Sequence, residues 1–120
     1  MTKPKVLHLT LKKKWFDMIL SGEKKEEYRE FKDYWIYRLG YFYESSSNPD
    51  DGGYWNEEMR NLPDIICFTN GYGAHRPMFT IQVEDWRLAK SNHPEWGGDT
   101  VKDQFIFHLG EILLTKNIKP

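Results

Sequence analysis

Two apolar runs joined by a sharp reversal limit what this chain can fold into more than any other feature. Asp64-Ile-Ile-Cys-Phe-Thr69 is short and apolar, and it ends at Asn70-Gly71-Tyr72-Gly73, residue types that favour a tight turn. From Pro77 to Ala89 the pattern alternates, with Phe79, Ile81 and Val83 opposing Met78, Thr80, Gln82 and Glu84. Alternation of period two marks a strand with one buried face, so the two runs predict a β-hairpin with Asn70–Arg76 at its tip.

Further strands are expected on either side of it. Val6 to Leu11 places Leu7, Leu9 and Leu11 on one face. Gln104 to Leu109 places Phe105, Phe107 and Leu109 on one face and Ile106 and His108 on the other, after which Gly110 to Thr115 turns into a short last strand or tail. No helical stretch separates the late strands, so a parallel α/β sheet is not expected. Helical spacing covers Trp15 to Leu20, stopped by Ser21-Gly22, and Phe31 to Gly40, where Asp33 starts the helix and Gly40 ends it. Trp35 and Leu39 face the core in that second helix, and Tyr34 and Tyr37 are left open. Tyr54 to Arg60 is expected to form one helical turn before Pro63. Residues 44 to 53, rich in Ser, Asp and Gly, read as an exposed, flexible polar insert. The fold class is α+β: a small mixed β-barrel with two or three short helices, forming one domain over residues 1–120.

Charge is uneven along the chain although the formal net charge is −1. Residues 1–40 carry ten Lys or Arg against six Asp or Glu, residues 41–63 one against five, and the remainder six against seven. The basic first third includes Lys12-Lys13-Lys14 at a strand-to-helix junction, which serves either solubility or attraction to phosphates. It also includes Glu23 to Glu30, almost entirely charged, with Tyr28 the one ring among them. If extended, this stretch sends Glu27 and Arg29 to one face and Glu26 and Tyr28 to the other. Two readings stand side by side: a solvated charged edge, or a cleft floor where Lys24, Glu27 and Arg29 address a polar ligand.

Cys67 is the only cysteine and lies in an apolar run, so it is expected to be a buried structural thiol. The four histidines lack ligand spacing, and neither a metal nor a cofactor is expected. The N-terminal apolar stretch is too short for a signal segment and no run is long enough to span a membrane, so a soluble, cytoplasmic protein without a membrane partner is expected. Trp96 lies in a Pro94-Glu95-Trp96-Gly97 loop, where such a ring either plugs the end of a barrel or stacks a ligand.

Gly22-Glu-Lys24-Lys-Glu-Glu27-Tyr-Arg29, following a short helix, resembles the Gly-x-Lys-x-x-Glu-x-Arg signature of the ASCH domain, a branch of the PUA-like RNA-binding superfamily. The leading strand and helix, the Phe68–Tyr72 turn, Pro94-Glu-Trp-Gly97 and the Phe107–Ile112 close resemble its small single-domain bacterial and phage members. The resemblance implies a PUA-like barrel with a cleft beside the signature, taking RNA or a nucleoside-like small molecule. Lys13, Lys24, Glu27, Arg29, Asn70, Tyr72 and Trp96 are the binding candidates. Arg29 suits a phosphate or carboxyl group, Glu27 a base or ribose, and Tyr72 or Trp96 offers a stacking surface. One ASCH branch hydrolyses N4-acetylcytidine with a Lys in the signature, a Thr three residues later and a separate Glu. Lys24 matches that Lys, and Glu27 stands where the Thr would. Lys24 and Glu27 are therefore the catalytic candidates of a hydrolase or ribonuclease alternative, and a protein-interaction module is the third reading.

Overall fold

The computed structural model describes residues 3–46, 50 and 54–119. In chain order it contains β1 (Val6–Thr10), α1 (Lys13–Leu20), β2 (Glu26–Glu30), α2 (Asp33–Leu39), β3 (Tyr41–Ser46), β4 (Tyr54–Met59), β5 (Ile65–Thr69), β6 (Met78–Ala89) and β7 (Gln104–Lys116). The fold is α+β. It divides into two compact units, Met1–Glu30 with Pro63–Pro120, and Phe31–Leu62.

The first unit holds a five-stranded sheet in the order β1-β5-β6-β7-β2. The expected hairpin is its centre: β5 and β6 pair antiparallel, Ile66 opposite Ile81 and Phe68 opposite Phe79. β1 joins the outer side of β5 in parallel, Leu7 beside Ile66 and Leu9 beside Phe68, the one parallel pair in a sheet whose other described pairings are antiparallel. Short polar ties hold that pair in register. Lys5 N–H donates to Asp64 Oδ2, Leu11 N–H to the Thr69 carbonyl, and Asn70 Nδ2 to the Leu11 carbonyl. β1 and β2 are the two ends of the strand order, and the ladder does not close into a barrel among the described residues.

β7 runs unbroken through Gly110 to Lys116, where a turn was expected. The irregularity is absorbed by register shifts between β6 and β7 around Ile81 to Asp85, so the chain bends without reversing. Phe68, Phe79, Phe105, Ile106 and Phe107 are fully buried, and Phe16 and Ile19 of α1 are buried as well. Phe16 meets Phe79 edge-on at 4.9 Å. Burying side chains of this size contributes about 2 kcal/mol each, which holds an eight-residue helix that has no side-chain cap.

Cys67 is buried on β5, and burial pushes its thiol above the ordinary range. The native protein is expected to resist a thiol-specific reagent that labels the unfolded chain completely. Labelling at equal rates in both states would contradict that placement.

The second unit corrects two expectations. Tyr54 to Arg60 is not a helical turn: Tyr54–Met59 is β4, paired antiparallel with β3, Tyr41 opposite Met59 and Glu44 opposite Asn56. Its opening aromatic residue types favour strand, and β3 supplies the backbone partners that an isolated turn would lack. Of the polar insert expected at 44–53, residues 44–46 are strand and belong to β3; 47–49 and 51–53 lie outside the described residues. α2 ends as expected at Gly40 in the left-handed conformation, with Leu39 buried. Phe31 is half-exposed and packs edge-on against Tyr41 at 5.5 Å. The Tyr41 phenol donates to Glu57, and burial with that bond raises its pKa to about 12.

Candidate functional site

Lys24 is where the chain departs furthest from ordinary surface chemistry. α1 closes with Gly22 N–H on the Ile19 carbonyl, and Gly22 takes the left-handed conformation that turns the chain back. Lys24 N–H then returns to the Met18 carbonyl, which directs the side chain inward. Its side chain is 1% exposed. Nζ donates to the Trp96 carbonyl at 2.7 Å, stands 3.5 Å from Glu27 Oε1, and lies over the Tyr28 ring at 4.4 Å and the Trp15 ring at 5.4 Å. Burial pulls the ammonium below its ordinary pKa range, against the attraction of Glu27.

β2 supplies the other charged groups, and its pairing with the end strand β7 explains their burial. Glu27 lies opposite Phe107 and Arg29 opposite Phe105, so both start from a strand whose neighbour is core. Glu27 Oε1 accepts from Tyr28 N–H at 2.9 Å and stands 3.6 Å from Arg29 Nη1. Glu27 Oε2 is buried and has no hydrogen-bond partner among the described residues. Arg29 Nη1 also donates to the Tyr28 carbonyl. The solvated charged edge is therefore ruled out for Lys24, Glu26 and Glu27, which are all buried.

Lys24, Glu27 and Arg29 line a cavity of about 200 Å³ together with Trp15, Tyr28 and Trp96. Trp96 sits on a single 3-10 turn, Pro94–Trp96, and stacks on His93 with ring centres 3.8 Å apart. Gly97 follows with φ of +88°, and a Cβ there would lie 3.1 Å from the Trp15 ring. Gly97→Ala is thus expected to cost about 1–3 kcal/mol and to displace the Trp15 indole. Chemical denaturation measures the first effect and near-ultraviolet circular dichroism the second.

The other candidates lie elsewhere. Tyr72 is 91% exposed at the hairpin tip and does not line the cavity. Lys13 is exposed and pairs with Asp17; with Asn70 it borders a separate depression of about 340 Å³. Asn70 spends its side-chain amide on the Leu11 carbonyl. The sequence placed Trp15 in the helical stretch without a site role and gave Tyr28 none, yet both rings face the Lys24 ammonium. The one ring inside a charged run was the available signal for Tyr28.

A wider depression of about 670 Å³ also touches Lys24, but its charged members Lys25, Glu84 and Glu111 are exposed and solvated. The smaller cavity is the better site because its charges have been taken out of water. Among the described residues no helix is long and apolar enough to cross a membrane, and no group of three or more His, Cys, Asp or Glu is placed to hold a metal ion. Compared with protein-family models, curated proteins and solved structures, the chain matches none.

Proposed function

We propose that the chain is an RNA- or nucleotide-binding domain of the ASCH type, with a PUA-like fold, whose Lys24–Glu27–Arg29 cavity receives a single base or nucleoside. The observation that carries this reading is the buried Lys24–Glu27 pair with one carboxylate oxygen left over. Removing two charges from water costs several kcal/mol per ion, and a well-packed apolar pair would serve the fold at least as well. What the pair provides is an ammonium and an acceptor beside two tryptophans, the groups that read the edge and face of a base. A cavity of about 200 Å³ suits one nucleoside, so a strand of RNA would enter it by one residue.

The lowered pKa of Lys24 favours a second reading, a hydrolase of the N4-acetylcytidine type. A desolvated lysine yields its proton more readily than a free one, which is the property a general base needs. With Glu27 beside it as a shuttle, the pair would activate a water against an acyl carbonyl.

Cytidine, uridine, adenosine, guanosine and a single-stranded RNA, titrated at low salt and followed by tryptophan fluorescence, test the first reading. Saturable quenching by at least one of them, weakened in Arg29→Ala, is expected. No response to any would overturn it. Release of acetate from N4-acetylcytidine, lost in Lys24→Ala, is the result expected of the second reading, and an inert wild-type protein would end it.

A further inference from the structure

On the other face of β2 lies a second set of charges that the cavity does not use. The strand register alone assembles it: Glu26 of β2 and Asp85 of β6 both lie opposite His108 of β7. Arg87, two residues along β6, completes the group. Glu26 is buried, whereas the His108 side chain is 32% exposed and within reach of solvent protons.

His108 Nδ1 stands 3.4 Å from Glu26 Oε2. Its Nε2 has two competing neighbours, the Arg87 Nη1 in hydrogen-bonding contact and Asp85 Oδ1 at 3.7 Å. A guanidinium has only donors and a carboxylate only acceptors. When Arg87 addresses Nε2, that nitrogen must carry the lone pair, and the imidazole is neutral with its proton on Nδ1 toward Glu26. Once protonated, Nε2 becomes a donor, must leave Arg87 and turns to Asp85. The two charge states of one ring thus select different partners, and imidazole is the side chain that changes charge between about pH 5 and 8.

Glu26 connects this exchange to the Lys24 cavity. Its Oε2 also faces Arg87 Nη1 at 3.4 Å, and its Oε1 accepts from the Tyr28 hydroxyl at 2.9 Å. Ser91 Oγ donates to that same hydroxyl and accepts from His93 N–H, in the loop that carries the Trp96 carbonyl. The Tyr28 ring is the surface beneath the Lys24 ammonium. Glu26 therefore holds the ring that faces Lys24, and its negative charge is one of those that favour the ammonium.

We propose that His108 is a positioning residue for the Lys24 cavity: its protonation exchanges Arg87 for Asp85, offsets the charge of Glu26, and reaches Lys24 through the Tyr28 ring. The charged side chains that face His108 are Glu26 from β2 and Asp85 and Arg87 from β6. Below its midpoint the added positive charge weakens the hold of Glu26 on the ammonium and loosens the cavity. Above the midpoint the cavity is set for a ligand. The ligand part of this inference rests on the binding reading above, and the positional part does not.

The test is a nuclear magnetic resonance titration of the ligand-free protein from about pH 5 to 8, reading His108, the Tyr28 ring and the Lys24 ε-methylene. Tyr28 and Lys24 are expected to shift with the His108 midpoint, also in His93→Gln, which removes the imidazole stacked on Trp96. The shared step is expected to vanish in His108→Gln. In Asp85→Asn, an exposed substitution, it is expected to move to lower pH because the protonated ring loses the negative charge that favours it. Flat Tyr28 and Lys24 signals while His108 titrates, a step that persists in His108→Gln, or an unmoved midpoint in Asp85→Asn would each overturn the proposal. Cytidine titrated at both ends of the range separates the two ideas: binding without a step removes the switch, and a step without binding of any nucleoside or RNA removes the ligand reading alone.

Discussion

Glu27→Leu is expected to destabilise the protein by about 3–5 kcal/mol at neutral pH, whereas Lys24→Met/Glu27→Leu recovers most of that loss. The single change leaves a fully buried ammonium with the Trp96 carbonyl and two rings but without the carboxylate that pairs with it at 3.5 Å, and it strips Tyr28 N–H of its acceptor. The double change removes both charges and fills their volume with apolar atoms, so the desolvation cost disappears along with the attraction. Urea denaturation of the wild type, both single variants and the double variant gives the coupling directly. Additive losses would mean that the two charges do not depend on each other, and the cavity would then lack the pairing on which its chemistry rests.

Phe79→Ala should cost about 3–5 kcal/mol, a large share of the stability of a chain this size. The ring is fully buried, meets Phe16 of α1 and lies 5.5 Å from Phe68 across the hairpin. Its removal opens a void that the paired strands cannot close, because their register is fixed on both sides of β6. Tyr37→Ala, by contrast, removes a ring that is 80% exposed and should stay within about 0.5 kcal/mol of the wild type. A small effect of Phe79→Ala in the same denaturation series would mean that the core is repacked around it.

Local pattern announced the strands whose faces differ. Leu7, Leu9 and Leu11 are buried and Val6, His8 and Thr10 are not, so period two was enough to find β1. It was blind to β4 because Tyr54–Met59 is held by cross-strand pairing with β3 and carries no alternation of its own. It also missed that Ile106 is buried along with Phe105 and Phe107, since that part of β7 is covered on both faces. The site was legible as a set of residues but not as an environment. Lys24, Glu27 and Arg29 could be named from their spacing, yet a charged run reads as solvated until the strand beside it is known. β7 decides the matter, and it lies far along the chain. Tyr72 and Trp96 looked equivalent as rings near glycines; only Trp96 lines the cavity, and its carbonyl accepts from Lys24.

The strand order also has a consequence for synthesis on the ribosome. Lys24 leaves the tunnel 72 residues ahead of Trp96, and β2 precedes its partner β7 by still more chain. At translation speeds of about 5–20 residues per second, the wait is on the order of 4–14 s. Throughout it Glu23 to Glu30 has neither the strand nor the loop that will take it out of water. Its dense charge keeps this emerging segment hydrated and discourages it from sticking to other chains. The same charges that are costly to bury at the end act as a solubility guard at the beginning, and the cavity is among the last parts of the molecule to exist.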